Sequence, residues 1–197
     1  MPHVLVVCTG NICRSPIAEG FLRAAFERRL GPQAPAVTSA GLVARDGNAA
    51  EPEAVRAAAE HGVDISDHAA RRLTGRMMAE ADLVICMTSG HRDRIVEALP
   101  DALARTFTLK ELVFLLESLP DPAAHAPADR LSERVAAAHE LREHSDRPVD
   151  EDIGDPLGLS IPAFRATAIE LEGLCTRLAD GLFPEREERR AAGHGGA

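Results

Sequence analysis

The chain has 197 residues, 45% of them apolar, and a formal net charge of −9. That length fits one domain with a sizeable core, and the apolar fraction excludes a disordered chain. The acidic balance excludes the basic footprint of a nucleic-acid binder, and no apolar run is long enough to span a membrane. The N-terminus carries no signal-type leader, and the four cysteines have no regular pairing, which reads as reduced thiols in a cytoplasmic protein; the sequence leaves its oligomeric state open, with a monomer slightly favoured.

The first element is a continuous apolar run over 4–7, the pattern of a buried parallel strand. A helix follows, with Ile17, Phe21, Ala24 and Ala25 at spacings of three and four, Ser15 as its expected cap and Pro16 in its first turn. Gly31-Pro32 stops it. A second strand spans 36–40, and a helix over about 52–61 ends at Gly62, expected in the left-handed conformation. A third strand covers 83–87, with a helix to about Leu99. A short fourth strand covers 106–108, with a helix to about Leu119.

Residues 120–150 are rich in Ala, Pro and charge, with one weak stripe of Leu131, Val135 and Ala138, and read as a surface insertion or a partly mobile flap. The last helix carries Ile161, Phe164, Ala168, Leu171, Cys175, Leu178 and Leu182 as a core-facing stripe. From Pro184 the charged, Gly-rich tail reads as disordered, so the domain is expected over 1–183. Strands alternating with helices predict a single-domain α/β sandwich: a four-stranded parallel sheet with helices on both faces. In such folds ligands sit at the carboxyl ends of strands, near a topological switch point.

One loop at such an end carries the chemistry: Cys8-Thr9-Gly10-Asn11-Ile12-Cys13-Arg14-Ser15-Pro16. A strand, a tight loop and a helix N-terminus point backbone N–H groups inward and make an anion-binding nest. Gly10 is expected to supply dihedrals a bulkier residue resists, and Asn11 tolerates the left-handed region. Arg14 offers a fork for two phosphate oxygens. Cys8 at the base faces the helix dipole and the guanidinium, a setting that favours a nucleophilic thiolate. Ser15 is placed to donate a hydrogen bond to that sulfur. A nucleotide-binding P-loop needs Gly-Lys-Ser/Thr, which is absent. A zinc site needs a second ligand pair, whereas Cys86 and Cys175 stand alone on core faces, so neither metal nor cofactor is expected.

The run from Val7 to Glu19 resembles the low-molecular-weight protein tyrosine phosphatases. So do Thr38-Ser39-Ala40-Gly41, His61-Gly62-Val63-Asp64 with His68 following, Asp82 to Met87, Asp152-Ile153-Gly154-Asp155-Pro156 and the last helix. The resemblance implies Cys8 as nucleophile, Arg14 as phosphate ligand and Asp155 as general acid. It also implies Thr9, Gly10, Asn11, Ile12, Cys13 and Ser15 as the phosphate-binding loop, with Asn11, Ser15, Ser39 and His68 in a supporting hydrogen-bond network. Cys13 matches a thiol that pairs with an oxidised nucleophile in this family; the other reading is a loop cysteine with no redox role. Asp121-Pro122 is a second Asp-Pro dipeptide, but Asp155 is followed by Gly158 and the long helix, as the family's acid loop is.

The expected reaction is hydrolysis of a phosphorylated protein through a phosphocysteine, with phosphotyrosine as the substrate. Protein arginine phosphatase activity is the alternative; Ile12 favours phosphotyrosine over it, since the related arginine phosphatases carry threonine at that position, but one residue does not exclude it. Arsenate reduction and a catalytically silent phosphoprotein-binding module rank lower. The chain has no Trp, no Tyr and only 6 Phe, and neither Leu157-Gly158 nor 43–50 holds an aromatic, so ring stacking on a phosphotyrosine is not available from those stretches.

Overall fold

The computed structural model describes residues 1–120, 127–145 and 150–184. Four strands form one sheet: β1 (His3–Cys8), β2 (Ala36–Gly41), β3 (Leu83–Cys86) and β4 (Thr106–Thr108). All neighbours are parallel, in the order β2-β1-β3-β4. The helices are α1 (Arg14–Leu30), α2 (Pro52–Ala59), α3 (Gly75–Glu80), α4 (Ser89–Ala98), α5 (Leu109–Glu117), α6 (Pro127–Arg142) and α7 (Ile161–Leu182). None among the described residues is long and apolar enough to cross a membrane.

The strands read as unbroken apolar runs because both faces are covered. Successive side chains point to opposite sides of a strand. Val4, Val6 and Cys8 therefore pack with α1, α5 and α7, while Leu5 and Val7 pack with Met78 of α3 and Ile95 of α4. The chain leaves β1 for β2 on one side and crosses to β3 on the other, so the switch point lies between β1 and β3. The carboxyl end of β1 is Cys8, in register with Gly41 of β2.

Gly62 adopts the expected left-handed conformation (φ 77°). Three local readings change. Ser15 does not cap α1: the helix begins at Arg14 and Cys13 holds the cap position without a side-chain bond, because the Ser15 hydroxyl is engaged by Cys8 and Asn11. Helix α3, capped by Thr74 on Met77, has six residues, too few to show a periodicity.

Finally, the described part of 120–150 is a packed helix, where a surface insertion or a partly mobile flap was expected. Leu131, Val135 and Ala138 are buried in the main core. Arg134 donates to the carbonyls of Leu116 and Gly181, satisfying the last turns of α5 and α7. Arg142 lies over the Phe107 ring at 3.8 Å and pairs with Glu111 at 3.0 Å. Asp121 and the tail beyond Pro184 lie outside the described residues.

Candidate active site

The loop after β1 folds around the sulfur of Cys8. Asn11 takes a positive φ of 55°, alone among the described non-glycine residues, and this turn aims its N–H at Cys8 Sγ, 3.2 Å away. Ser15 Oγ stands 2.9 Å from the same sulfur. The direction of that bond follows from its neighbours. Asn11 Nδ2 donates to Ser15 Oγ (2.9 Å) and Ser39 Oγ (2.8 Å), and Ser39 Oγ donates to Glu19 Oε2 (2.6 Å). The Ser15 oxygen thus already accepts, and its own hydrogen is left for the sulfur. The first N–H groups of α1 have no intrahelical partners and add the positive end of the helix dipole beneath the loop.

Asn11 is fully buried and tied down on its remaining edges as well. Its carbonyl accepts from His68 Nε2 (2.7 Å), which fixes the tautomer with hydrogen on that nitrogen, and its side-chain oxygen accepts from Arg71 N–H (2.8 Å). The expected group of Asn11, Ser15, Ser39 and His68 is therefore one connected network, joined to Cys8 through Ser15 and the Asn11 N–H.

Arg14 is buried, and Cys13 beside it is 3% exposed. The guanidinium donates through Nη1 to the Ile153 carbonyl (2.9 Å) and through Nη2 to Asp155 Oδ2; its Nε is buried with no partner. A buried N–H without an acceptor is costly unless a ligand supplies one. Asp155, 141 residues along the chain from Arg14, is half exposed, and its other oxygen accepts from Leu157 N–H. Its approach is set by Ile153, whose N–H donates to Met87 O (2.8 Å) at the end of β3. Cys8, Thr9, Gly10, Ile12, Cys13, Arg14, Val43, Asp155 and Leu157 line one pocket of about 220 Å³. Its walls are aliphatic at Ile12 of the loop and at Val43 and Leu157 beyond it.

Burial pushes the Cys13 thiol up to about 12, with Asp155 and Glu51 adding to the shift, so it is a protonated thiol at neutral pH. Cys86 and Cys175 are completely buried, and burial raises both thiols further. None of these three offers a thiolate beside Cys8.

The sequence did not single out two further contributors. His91, in the first turn of α4, holds Thr9 Oγ1 through Nε2 (2.9 Å) and Thr88 Oγ1 through Nδ1 (2.8 Å). Burial pushes its ring down to about 4, and nearby Arg14 acts in the same direction. The available signal was the end of β3: in a parallel sheet the helix start after a neighbouring strand adjoins the loop after β1. The second is Gly41. A Cβ there would lie 2.6 Å from Thr9 O and 2.9 Å from Asn11 N. Gly10, expected to be the permissive glycine, is not in the left-handed region, and a Cβ on it would meet only Ile12 at an ordinary 3.4 Å. The loop needs its missing side chain on the facing strand.

Comparison with known proteins agrees along the chain. A family model described as low molecular weight phosphotyrosine protein phosphatase matches residues 3–129. A probable low molecular weight protein-tyrosine-phosphatase, EpsP, of Ralstonia nicotianae is 40% identical over 109 residues, 55% of this chain and 71% of that protein. A protein-arginine-phosphatase of Geobacillus stearothermophilus is 34% identical over 189 residues, 94% of this chain and 100% of that protein. The solved structure of the YwlE arginine phosphatase from Geobacillus stearothermophilus superposes with a TM-score of 0.68 at 32% identity, covering 100% of this chain and 99% of that one. With a matching family model, a full-length relative and the same four-stranded parallel fold, the chain belongs to the low molecular weight phosphotyrosine protein phosphatase family, a family of hydrolases.

Proposed function

We propose that this chain is a cysteine-dependent protein phosphatase that hydrolyses phosphotyrosine, with Cys8 as nucleophile, Arg14 and the 8–15 loop as phosphate ligands and Asp155 as general acid. The observation that carries the reading is the convergence of Cys8 Sγ, the unpartnered Nε of Arg14 and the Asp155 carboxyl on one small pocket. An entering phosphate takes over the Arg14 donors and frees Asp155, at the pocket mouth, for the leaving oxygen. The thiolate attacks phosphorus, the S–P bond forms, the P–O bond breaks, and Asp155 gives its proton to the departing oxygen. Water then attacks the phosphocysteine with Asp155 accepting its proton, and the sulfur leaves as a thiolate stabilised by Ser15 and the Asn11 N–H. The nest and Arg14 neutralise the equatorial oxygens throughout, the interaction that supplies most of the rate in such reactions. Four free, buried cysteines support a reducing, cytoplasmic setting.

Phosphoarginine is the second reading. The similarity to a protein-arginine-phosphatase over that protein's whole length favours it, as does a pocket walled by Ile12, Val43 and Leu157 with no aromatic ring. Rates on phosphotyrosine and phosphoarginine peptides, measured side by side with wild type and Ile12→Thr, separate the two. Phosphotyrosine is expected to be the faster substrate of the wild type, with Ile12→Thr shifting the ratio toward phosphoarginine. A wild type faster on phosphoarginine overturns the substrate assignment. Hydrolysis of p-nitrophenyl phosphate that survives Cys8→Ser overturns the mechanism.

A further inference from the structure

We infer that Lys110 is a positioning residue for Asp155, acting through the segment 150–153 that delivers the acid to the pocket; the inference rests on the reading of Asp155 as general acid. Lys110 is the sole lysine of the chain, against 21 arginines. It sits in the first turn of α5, away from the pocket lining. Its ammonium donates to the Asp152 carbonyl (2.8 Å) and Asp150 Oδ2 (3.2 Å), and it pairs with Glu170 Oε1 of α7 (2.9 Å). Three donors meet three acceptors, so the ammonium is fully used in joining this segment to two helices of the main core.

The segment is pinned residue by residue. Glu151 pairs with buried Arg92 (2.5 Å), which also holds Glu111 (3.1 Å). Asp152 Oδ1 accepts from Ser89 N–H (2.7 Å) and Ser89 Oγ (2.9 Å). The next residue is held on both sides, its Ile153 N–H bound to Met87 and its Ile153 carbonyl bound to Arg14. Only Gly154 then separates the anchored stretch from Asp155. The Asp155 carboxyl is 44% exposed, and among the described residues its hydrogen bonds are to Arg14 and the Leu157 N–H, so it has little of its own to fix its place. Once phosphate engages Arg14, the upstream anchors and the Leu157 N–H define where the acid stands. The Asp152 carbonyl held by Lys110 belongs to the same peptide as the Ile153 N–H that binds Met87, so Lys110 fixes that peptide from its other edge.

The experiment compares phenyl phosphate, a poor leaving group that needs the acid, with p-nitrophenyl phosphate, a good one that does not. Lys110→Met, Asp155→Asn and the double variant are assayed for kcat and KM, with Lys110→Gln as a second substitution that keeps a neutral donor. A displacement approaching an ångström costs up to about 100-fold, so Lys110→Met is expected to lower kcat on phenyl phosphate by about tenfold and on p-nitrophenyl phosphate by less than about twofold. The loss should be smaller in Lys110→Gln and vanish in the Asp155→Asn background, since the lysine acts only through that carboxyl. Equal losses on both substrates, no loss, or a full additional loss in the double variant overturns the role of Lys110 while leaving the acid assignment standing. Equal losses from Asp155→Asn on both substrates overturn the acid assignment itself, and this inference with it.

Discussion

Gly41→Ala is a single methyl group placed outside the pocket, and it tests whether the loop geometry is set by the facing strand. The new Cβ would stand 2.6 Å from Thr9 O, 2.9 Å from Asn11 N and 3.0 Å from the Ala44 Cβ. Ordinary contact begins near 3.4 Å, so the Thr9 carbonyl and the glycine backbone must separate by about 0.8 Å. Neither side is free to yield. Thr9 O accepts from Val43 N–H, the Asn11 N–H is aimed at Cys8 Sγ, and the Asn11 carbonyl is held by His68. Gly41 is itself bonded on both edges, to Arg71 O and to Leu73 N–H. The strain therefore passes into the loop. Overpacking of this kind costs about 1–3 kcal/mol of stability, and a displacement approaching an ångström near reacting atoms costs about 100-fold in rate. The assay is kcat/KM on p-nitrophenyl phosphate together with inhibition by inorganic phosphate, both of which should weaken, and thermal unfolding. Gly10→Ala is the control and should stay within a few-fold of wild type, since its Cβ meets only Ile12 at 3.4 Å. A folded Gly41→Ala variant with wild-type turnover and phosphate inhibition would refute the reasoning.

Three more outcomes are expected. Ser15→Ala removes the donor to the departing sulfur and should slow phosphocysteine breakdown by about 100-fold, the scale of one donor lost at a developing charge; a pre-steady-state burst of p-nitrophenolate reports it, and unchanged turnover without a burst counts against the assigned bond direction. His91 has an ordinary value of 6.5, depressed to about 4 in the fold, so between these values the unfolded chain binds the extra proton. Its contribution to stability is complete above pH 6.5 and is lost as the pH falls toward 4; melting temperatures across that window should drop more steeply for wild type than for His91→Gln, and parallel curves would exclude the effect. Leu131→Ala should cost about 2–5 kcal/mol in urea unfolding if α6 is part of the core, whereas a surface flap would tolerate it within about 0.5 kcal/mol.

How much of this was legible in the sequence depends on how far apart the interacting groups lie. Strands and long helices were readable because burial on both faces leaves unbroken apolar runs, and burial on one helix face leaves a spacing of three and four. The stripe of Leu131, Val135 and Ala138 was readable, but the packing of the helix that carries it was not, because that helix is fastened by arginines. Arg134 and Arg142 look solvated in a sequence, yet here they satisfy carbonyls at the ends of other elements. Cys8, Asn11, Arg14 and Ser15 were readable as a unit because eight consecutive residues between a strand and a helix can close on one anion without help from elsewhere.

What the sequence could not decide was which distant groups complete that loop. Of two Asp-Pro dipeptides the family resemblance favoured Asp155, but proximity to Arg14 is a property of the folded chain: Asp155 arrives because Ile153 bonds to the end of β3 and Lys110 and Arg92 hold the residues before it. Gly10 looked like the glycine the loop required, because a sequence shows a residue's neighbours along the chain. Gly41 is the one whose side chain would collide, because parallel pairing with β1 sets it beside Cys8. Local chemistry was written in one short stretch of chain, while its alignment depends on contacts that exist only after the sheet and helices have packed.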